Sequence, residues 1–397
     1  MAPSPSPPAA GADLAMLTAA GCAARRQRLW DTPAARGCAA LVIGQPAHLV
    51  YFANYLPSPF EFRTNESAAL LVLEPGKATL VADSMLDPYT SKAHVDAVES
   101  YTWYDGQTGT RPRPVRLVEA TLGRLAKVAG TKIGVELASV PAGVVEGLRA
   151  ARPGVEIVDL SEVIRPMRRA KDADEVATLR RVMRATDAGH AAAMAEVKPG
   201  MTELDAWLVV QNAAQKSLGE RAIVYGDLAT GPRTATDKGG APTDRVIEPG
   251  DLLLLDFSVV SGGYRSDFTN TFAVGGEPTA AQAKLFDACT GALAAAEALL
   301  QPGAACKDVD AAVRAHFDGL GLLDAFPHHT GHGIGLGHPE PPYFVPQSDE
   351  ILVVGDVVTV EPGLYVEGTG GIRVEHNYLI TESGFETLSQ HRISLRP

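Results

Sequence analysis

Residues 252–274 read LLLLDFSVVSGGYRSDFTNTFAV, two runs of strand-forming residues joined by a serine–glycine turn. This pattern predicts an antiparallel hairpin. Asp256 interrupts the first run, and Asp267 follows in the second. If Ser261 and Gly262 form a two-residue loop, the register sets the two aspartates directly opposite each other on one face. Carboxylates opposed at about 5 Å destabilise a hairpin unless a cation lies between them, so the pair indicates either a cation site or two separately solvated side chains.

A second pair of carboxylates occurs near the C-terminus. Glu361 ends the apolar run VVTVE, and Glu375 lies in the strand-like segment GIRVEHNYLI, with glycine-rich residues 367–371 between the two segments. Buried charges need partners, so a second such pair on strand-forming segments is hard to explain by packing alone. Two independent pairs therefore favour a metal site.

Four histidines lie close together in residues 328–340, which read HHTGHGIGLGHPE. A single histidine is more often a hydrogen-bonded core residue than a ligand, but four in one short segment favour a site. The alternating glycines let the backbone approach another group closely. Four carboxylates and one imidazole form an oxygen-rich ligand set that suits two divalent ions. Two such ions can hold and acidify a water, and hydrolysis of an amide is the natural reaction.

The composition limits the class of protein. The chain has 397 residues, 46% hydrophobic and 21% charged, so we expect two or more folded domains. Its apolar runs are too short to span a membrane. A net charge of −12 argues against nucleic acid or an anionic membrane surface as partner. The four cysteines are scattered without a Cys-x-x-Cys pair, which favours a reducing compartment, and we predict a cytoplasmic protein.

Changes in composition divide the chain into three parts. Residues 1–18 are rich in proline and alanine and predict a mobile tail. In residues 19–166, apolar runs alternate with helix-like stretches, which indicates a mixed α/β domain. In residues 167–397, long helices precede strand-rich blocks twice, which indicates two α/β halves that face each other. The whole acidic excess lies in this last part: residues 166–397 carry 19 basic and 31 acidic residues, against 16 of each before them.

The motifs together resemble those of the pita-bread metallopeptidases, which include Xaa-Pro dipeptidase, aminopeptidase P and methionine aminopeptidase. The resemblance rests on Asp256 and Asp267, eleven residues apart, and on the segments TGHGIGL (330–336), VEPGLY (360–365) and GIRVE (371–375). It covers about residues 165–395, and the preceding half is similar to the creatinase/prolidase N-terminal domain. It implies an α/β N-terminal domain that narrows the cleft, an α+β pita-bread catalytic domain and a homodimer.

Carried over position by position, the resemblance implies five metal ligands: Asp256, Asp267, His332, Glu361 and Glu375. Glu361 would also take the proton from a water that bridges two divalent ions, which could be manganese, cobalt or zinc. The other positions that it implies are catalytic for His338, His328 and Arg373 and substrate-binding for Tyr365 and His329.

One departure from the family concerns the segment before Pro242-Thr243-Asp244-Arg245. The peptidases usually carry a histidine there that contacts the scissile group, and this chain has Gly239 at the aligned position. The spacing from His332 to His338 is also one residue shorter than in most relatives. Neither change touches the five implied ligands.

These observations predict a dinuclear-metal-dependent peptidase that hydrolyses short peptides, above all Xaa-Pro bonds, by attack of a metal-bridging hydroxide. Three alternatives stay open. A creatinase-like, metal-independent C–N hydrolase would have lost the ligand carboxylates, which this chain keeps. A catalytically silent peptide-binding module is disfavoured by the intact ligand set, but Gly239 in place of the usual histidine keeps it open. A metal-dependent lyase on the same fold has no specific support.

Overall fold

The structure is a computed structural model that describes residues 16–56, 69–107, 109 and 111–397. Most of the predicted N-terminal tail, residues 1–15, lies outside the described residues. Within them, no helix combines the length and the apolar character needed to cross a lipid bilayer.

The N-terminal half is a six-stranded mixed sheet with helices, as the alternating pattern predicted. The strand order is β4-β3-β2-β1-β5-β6. The β1–β5, β5–β6 and β3–β4 pairs are parallel, and the others are antiparallel. Its elements are α1 (Ala19–Trp30), β1 (Ala40–Ile43), α2 (Pro46–Ala53), β2 (Ala69–Glu74), β3 (Lys77–Asp83), a 3₁₀ turn (Ser84–Leu86), α3 (Asp87–Thr90), β4 (Ala97–Tyr101), α4 (Arg113–Leu125), β5 (Lys132–Val135), α5 (Ala142–Ala151), β6 (Glu156–Asp159) and α6 (Ser161–Met167).

The C-terminal half combines long helices with several sheets. One sheet has the order β10-β8-β7, a second has the order β12-β11-β13-β16-β17, and β14 pairs with β15. Its elements are α7 (Ala173–Glu196), α8 (Glu203–Leu218), β7 (Ile223–Thr230), α9 (Arg233–Thr236), β8 (Leu252–Ser261), β9 (Tyr264–Arg265), β10 (Phe268–Ala273), α10 (Ala280–Glu297), α11 (Cys306–Gly319), a 3₁₀ turn (Leu323–Ala325), β11 (Gly331–Gly333), β12 (Glu340–Phe344), β13 (Val357–Val360), β14 (Gly363–Val366), β15 (Gly370–Arg373), β16 (His376–Thr381) and β17 (Gly384–Thr387).

The β8 hairpin forms, but its predicted register is wrong. The loop consists of Gly262 and Gly263, with φ angles of +60° and +83°, and Ser261 pairs with Tyr264. A two-residue turn with positive φ at both positions favours glycine over serine, which explains the shift. Asp256 therefore pairs with Thr269 instead of Asp267. Because the displacement is two residues, side-chain alternation keeps both aspartates on one face, as diagonal neighbours.

The second carboxylate pair lies where one long hairpin passes between two sheets. β13 pairs with β16 through Val360 and His376, and β14 pairs with β15 through Gly363 and Arg373. The same register continues between these pairs, so Glu361 and Glu375 oppose each other in the short breaks between strands. Both glutamates flank strands, whereas the sequence predicted Glu375 within one.

The two halves share a hydrophobic core. Apolar side chains of β1, α2 and β2 pack in one cluster with side chains of the C-terminal half. These are Leu179 and Met183 of α7, Tyr264 of β9, and Ile334 and Leu336 of residues 331–338, called here the glycine-rich loop. The N-terminal half is therefore packed directly against the segments that carry the candidate site residues. The predicted boundary after residue 166 falls in the last turn of α6.

Candidate active site

A cavity of about 590 Å³ opens between the β7–β8–β10 sheet and the glycine-rich loop. Carboxylates from both sides, imidazoles from the glycine-rich segment and one guanidinium line it. Its lining consists of Tyr225, Gly226, Asp227, Ala241, Asp256, Phe257, Ser258, Asp267, His329, His332, His338, Pro339, Glu361 and Arg373.

The structure brings all five predicted ligands together. Oxygen atoms of Asp256, Asp267 and Glu375 lie within 4.8 Å of one another. The His332 Nε2 atom is 3.6 Å from Asp267 Oδ2 and 3.4 Å from Glu361 Oε1. His332 therefore lies between Glu361 and the group of three carboxylates. Residues more than 100 positions apart in the sequence thus form one compact donor set.

Backbone and hydroxyl groups orient these side chains. The Nδ1 atom of His332 lies 2.9 Å from the Gly333 carbonyl oxygen, which directs Nε2 toward the carboxylates. The Thr269 hydroxyl donates to Glu375 Oε2 at 2.7 Å. A ring nitrogen that is fixed by a backbone carbonyl leaves the other one free to act as a metal ligand.

The carboxylates at the centre are crowded in a buried place. Burial, reinforced by Asp267, Asp256 and Glu361, raises the pKa of Glu375 well above its ordinary value. Burial also raises the pKa of Asp256, and Asp267 and Glu361 add to this effect although Arg373 opposes it. Like charges that disfavour one another in this way are stabilised by a cation.

The donor set fits divalent metal ions. The Oε1 atom of Glu375 is buried and makes no hydrogen bond to any described residue, although a buried carboxylate oxygen normally has a partner. A set of hard oxygen donors with imidazole is the chemistry that manganese, cobalt and zinc accept. Glu375 belongs to the group of close donor atoms that also contains Asp256 and Asp267.

Two further histidines line the cavity beside the ligand set. His338 Nε2 is 2.6 Å from Asp267 Oδ2, and the side chain is 29% exposed. His329 Nε2 is 3.1 Å from Glu361 Oε1. Burial acts to raise the pKa of Glu361, but the hydrogen bond from His329 and the nearby positive groups outweigh it, so the pKa lies below its usual value. Glu361 is therefore a carboxylate at neutral pH.

Arg373 contacts the candidate ligand Asp256 and three residues outside the ligand set. Its Nη2 atom lies 2.6 Å from Asp256 Oδ2 and 3.2 Å from Asp227 Oδ2. Its Nη1 atom donates to the Tyr365 hydroxyl at 2.9 Å and to the Lys238 carbonyl at 3.0 Å. The residue is only 7% exposed, and these four contacts hold its guanidinium in place.

His328 and Tyr365 lie behind Arg373 and do not line the cavity. Their side chains contact each other, with His328 Nε2 at 3.0 Å from the Tyr365 hydroxyl. Burial lowers the pKa of His328 to about 4, so the imidazole is neutral. Of the two neighbouring histidines, His329 is the one at the cavity wall.

Asp227 was not among the predicted site residues. It lies in β7 directly opposite Asp256 in the antiparallel register, and its side chain is 39% exposed. It also explains the glycine at position 239: a Cβ atom there would lie 2.2 Å from Asp227 Oδ2. The only sequence signal for Asp227 was a charged residue in a strand-forming run, and its meaning depends on the pairing with β8.

Both halves of the chain match known protein families. Residues 25–170 match the creatinase/prolidase N-terminal domain, and residues 177–382 match metallopeptidase family M24. The probable dipeptidase PepE of Mycobacterium tuberculosis is 32% identical over 353 residues, which are 88% of this chain and 89% of that protein. The Xaa-Pro dipeptidase of Pyrococcus horikoshii is 31% identical over 258 residues, 65% of this chain and 73% of that protein.

The fold is shared with solved structures. The Xaa-Pro dipeptidase from Bacillus anthracis superposes with a TM-score of 0.79 at 23% identity, over 94% of this chain and 99% of that one. This likeness confirms the expected architecture, an α/β N-terminal domain followed by an α+β pita-bread domain. Because the second family match extends over more than half of the chain and includes all five candidate ligands, the chain belongs to metallopeptidase family M24, a family of hydrolytic enzymes.

Proposed function

We propose that this protein is a metal-dependent peptidase that hydrolyses short peptides at Xaa-Pro bonds, as a dipeptidase or an aminopeptidase. The observation that carries the proposal is the convergence of four carboxylates and one imidazole at one end of a cavity that is open to a small substrate. Relatives at 31–32% identity are named as a probable dipeptidase and an Xaa-Pro dipeptidase, which supports the substrate class.

Five residues would hold two divalent ions. In this proposal Asp256, Asp267, His332, Glu361 and Glu375 are the ligands, and the ions could be manganese, cobalt or zinc. Divalent ions bound there would polarise the scissile carbonyl and acidify water. The deeply buried Glu375, with its unpaired Oε1, supports this assignment.

The proton transfers fall to the chain's own side chains. Glu361 is ionised and within the ligand set, so its carboxylate can accept the proton of the attacking water. His329 holds Oε1 of that carboxylate in position. His338 lies at the cavity wall beside Asp267, where its imidazole can donate a hydrogen bond to the reacting carbonyl. These three roles are parts of the proposal.

Arg373 and its partners would shape the substrate side of the cavity. Arg373 fixes Asp256 from one side, while Tyr365 and His328 hold Arg373 from the other. Since Tyr365 and His328 lie behind the guanidinium, we assign them to its orientation. His329, which is 42% exposed at the cavity wall, is the better candidate for contact with substrate.

The test is hydrolysis of a panel of Xaa-Pro dipeptides and Xaa-Pro-Xaa tripeptides by protein that is stripped of metal and reloaded with manganese, cobalt or zinc. We expect release of proline or of a free N-terminal residue that depends on added metal. The matched control is the Glu361→Gln variant, which keeps the shape of the side chain and removes the proton acceptor. Absence of turnover with every metal across the panel would refute the proposal.

The assembly and the location of the protein remain predictions. The homodimer that the resemblance implies can be tested by light scattering of the purified chain, where a mass of twice 41.7 kDa is expected. The predicted cytoplasmic location can be tested by fractionation of the source cells.

A further inference from the structure

A buried ionic cluster connects the segment between the two domains to the glycine-rich loop. The Glu340 carboxylate accepts a hydrogen bond from Lys171 Nζ on Oε1 at 2.9 Å, and one from Arg168 Nη2 on Oε2 at 2.5 Å. All three residues are buried, with exposed fractions of 5% for Glu340 and 8% for each cation. Arg168 and Lys171 lie in the linker between α6 and α7, and Glu340 opens β12.

The same carboxylate holds the loop that carries His338. The backbone N–H of Gly337 donates to Glu340 Oε2 at 2.9 Å. A Cβ atom at Gly335 would lie 2.6 Å from Glu340 Oε1, and one at Gly337 would lie 2.7 Å from Oε2. The two glycines therefore leave the space that the carboxylate occupies. Glycine-rich loops lose much conformational entropy on ordering, so a fixed anchor is needed to hold one shape.

A second contact holds the loop to the N-terminal domain. Leu336 is buried in the cluster formed by β1, α2 and β2 and lies against Val50 and the hairpin loop at Gly263. The two neighbours of Gly337 therefore have different surroundings. Leu336 packs in the shared core, and His338 Nε2 lies 2.6 Å from Asp267 Oδ2.

We infer that Lys171 and Arg168 are positioning residues that act through Glu340 to hold the His338 loop in its place at the active site. The inference rests on the proposed function, since it takes His338 as a group that contacts the substrate. Neither cation lines the cavity, so the linker between the domains would affect the reaction only through the position of the loop. Misplacement of an active-site group by about 1 Å can cost about 100-fold in rate.

The neighbouring ion pair offers a matched control. Arg169 lies in the same linker and donates from Nε to Asp356 Oδ1 at 2.8 Å and from Nη2 to Oδ2 at 2.9 Å. Asp356 is fully buried, and the hydrogen bonds of its carboxylate go to Arg169 and to the backbone N–H of Val353, not to Glu340 or to residues 335–338. Arg169→Met therefore removes a comparable ion pair from the same segment without touching Glu340.

The experiment compares Lys171→Met, Lys171→Arg and Arg169→Met in the manganese-loaded enzyme on an Xaa-Pro dipeptide. We expect Lys171→Met to lower kcat about tenfold or more, with KM and metal content within about twofold of wild type. Lys171→Arg should restore most of kcat, and Arg169→Met should leave kcat within about twofold while lowering Tm.

A double-mutant cycle separates positioning from a general loss of structure. If Lys171 acts through His338, Lys171→Met should change kcat less than about twofold in a His338→Ala background. The same tenfold loss in both backgrounds, or a wild-type kcat for Lys171→Met, overturns the inference. If His338→Ala itself keeps the wild-type rate, both the role proposed for His338 and the inference fail.

Hydrogen exchange provides a readout that needs no activity. In the metal-free protein, the peptide that covers residues 334–340 should exchange faster in Lys171→Met than in wild type, and at the wild-type rate in Arg169→Met. If Lys171→Met fails to fold, Glu340→Gln replaces it, since glutamine keeps the volume and loses the charge. If the exchange rate of this peptide is the same in Lys171→Met and in wild type, the inference is wrong, whether or not the proposed peptidase activity is found. If no peptidase activity is found, the exchange rate alone tests whether Lys171 holds the loop.

Discussion

Asp227 and Asp256 face each other across β7 and β8, and the single guanidinium of Arg373 contacts both carboxylates. Asp227 therefore competes with a candidate ligand for the same positive charge. Without Asp227, the full charge of Arg373 would act on Asp256 and oppose the binding of a cation there. Asp227 thus has a defined electrostatic role although it belongs to none of the groups of close donor atoms.

We predict that Asp227→Asn weakens manganese binding by about tenfold, the range found when residues that orient metal ligands are changed. Calorimetric titration of manganese into the metal-stripped protein measures this. The control is Asp237→Asn, a nearby aspartate that pairs with Arg233 and is 43% exposed. Equal affinities for Asp227→Asn and wild type would contradict the prediction.

Glu375→Gln should have opposite effects on the metal-free and the metal-loaded protein. In the metal-free protein, burial and three neighbouring carboxylates disfavour the Glu375 charge, so a neutral amide should raise Tm by a few degrees. Because the variant lacks a ligand, the increase in Tm on adding manganese to wild type should disappear. Thermal melts with chelator and with manganese test both effects.

The control for that comparison is Glu367→Gln, an exposed glutamate in the turn of the same hairpin. It should leave both melting temperatures unchanged. A Glu375→Gln protein that is less stable than wild type in chelator, or that keeps the full manganese effect, contradicts the prediction.

The resemblance implied five candidate ligands, and the structure brings their side chains together. Asp256 and Glu361 interrupt or end apolar runs, and His332 lies among glycines, so residue type and short-range pattern mark them. The alternation of strands and helices likewise predicted a mixed sheet in the N-terminal half. These signals depend on neighbours within a few residues.

Features that depend on pairing between distant segments could not be predicted. The hairpin register was missed by two residues because it depends on which two residues take positive φ, and both Gly262 and Gly263 do. Asp227 acquires its role only when β7 pairs with β8. The contact of Lys171 with Glu340 joins residues 169 positions apart. No local pattern encodes such contacts.

The stability of the protein should depend on pH through Asp187 of α7. Burial raises the pKa of Asp187 to about 6, against the opposing hydrogen bonds from the backbone of Gln390 and His391. The folded protein therefore binds the proton more tightly than the unfolded chain, whose aspartates titrate near 3.9. The stability that Asp187 contributes is present below about pH 4 and is lost as the pH rises to about 6.

Asp187→Asn should remove this loss of stability at higher pH. Relative to wild type, its free energy of unfolding should increase by about 1 to 2 kcal/mol between pH 4 and pH 7, a range that allows for solvent screening at this half-buried site. Urea unfolding at several pH values measures the difference. Asp287→Asn, an exposed aspartate of α10, serves as control and should follow the wild-type curve. If the free energy of unfolding of Asp187→Asn changes with pH in the same way as that of wild type, the raised pKa does not belong to Asp187.

The loop at Gly239 should be less tolerant of a side chain than its neighbour. Gly239 and Gly240 both have positive φ, +125° and +112°, but a Cβ at Gly239 would lie 2.2 Å from Asp227 Oδ2, whereas the nearest atom to one at Gly240 is 3.6 Å away. Both alanine variants carry the backbone strain of about 1 to 3 kcal/mol, and only Gly239→Ala also displaces Asp227. We therefore expect Gly239→Ala to lower Tm and manganese affinity more than Gly240→Ala. Adding Asp227→Ala should recover the excess loss of stability, since it removes the clash but not the strained φ; equal Tm losses for the two single variants contradict this account.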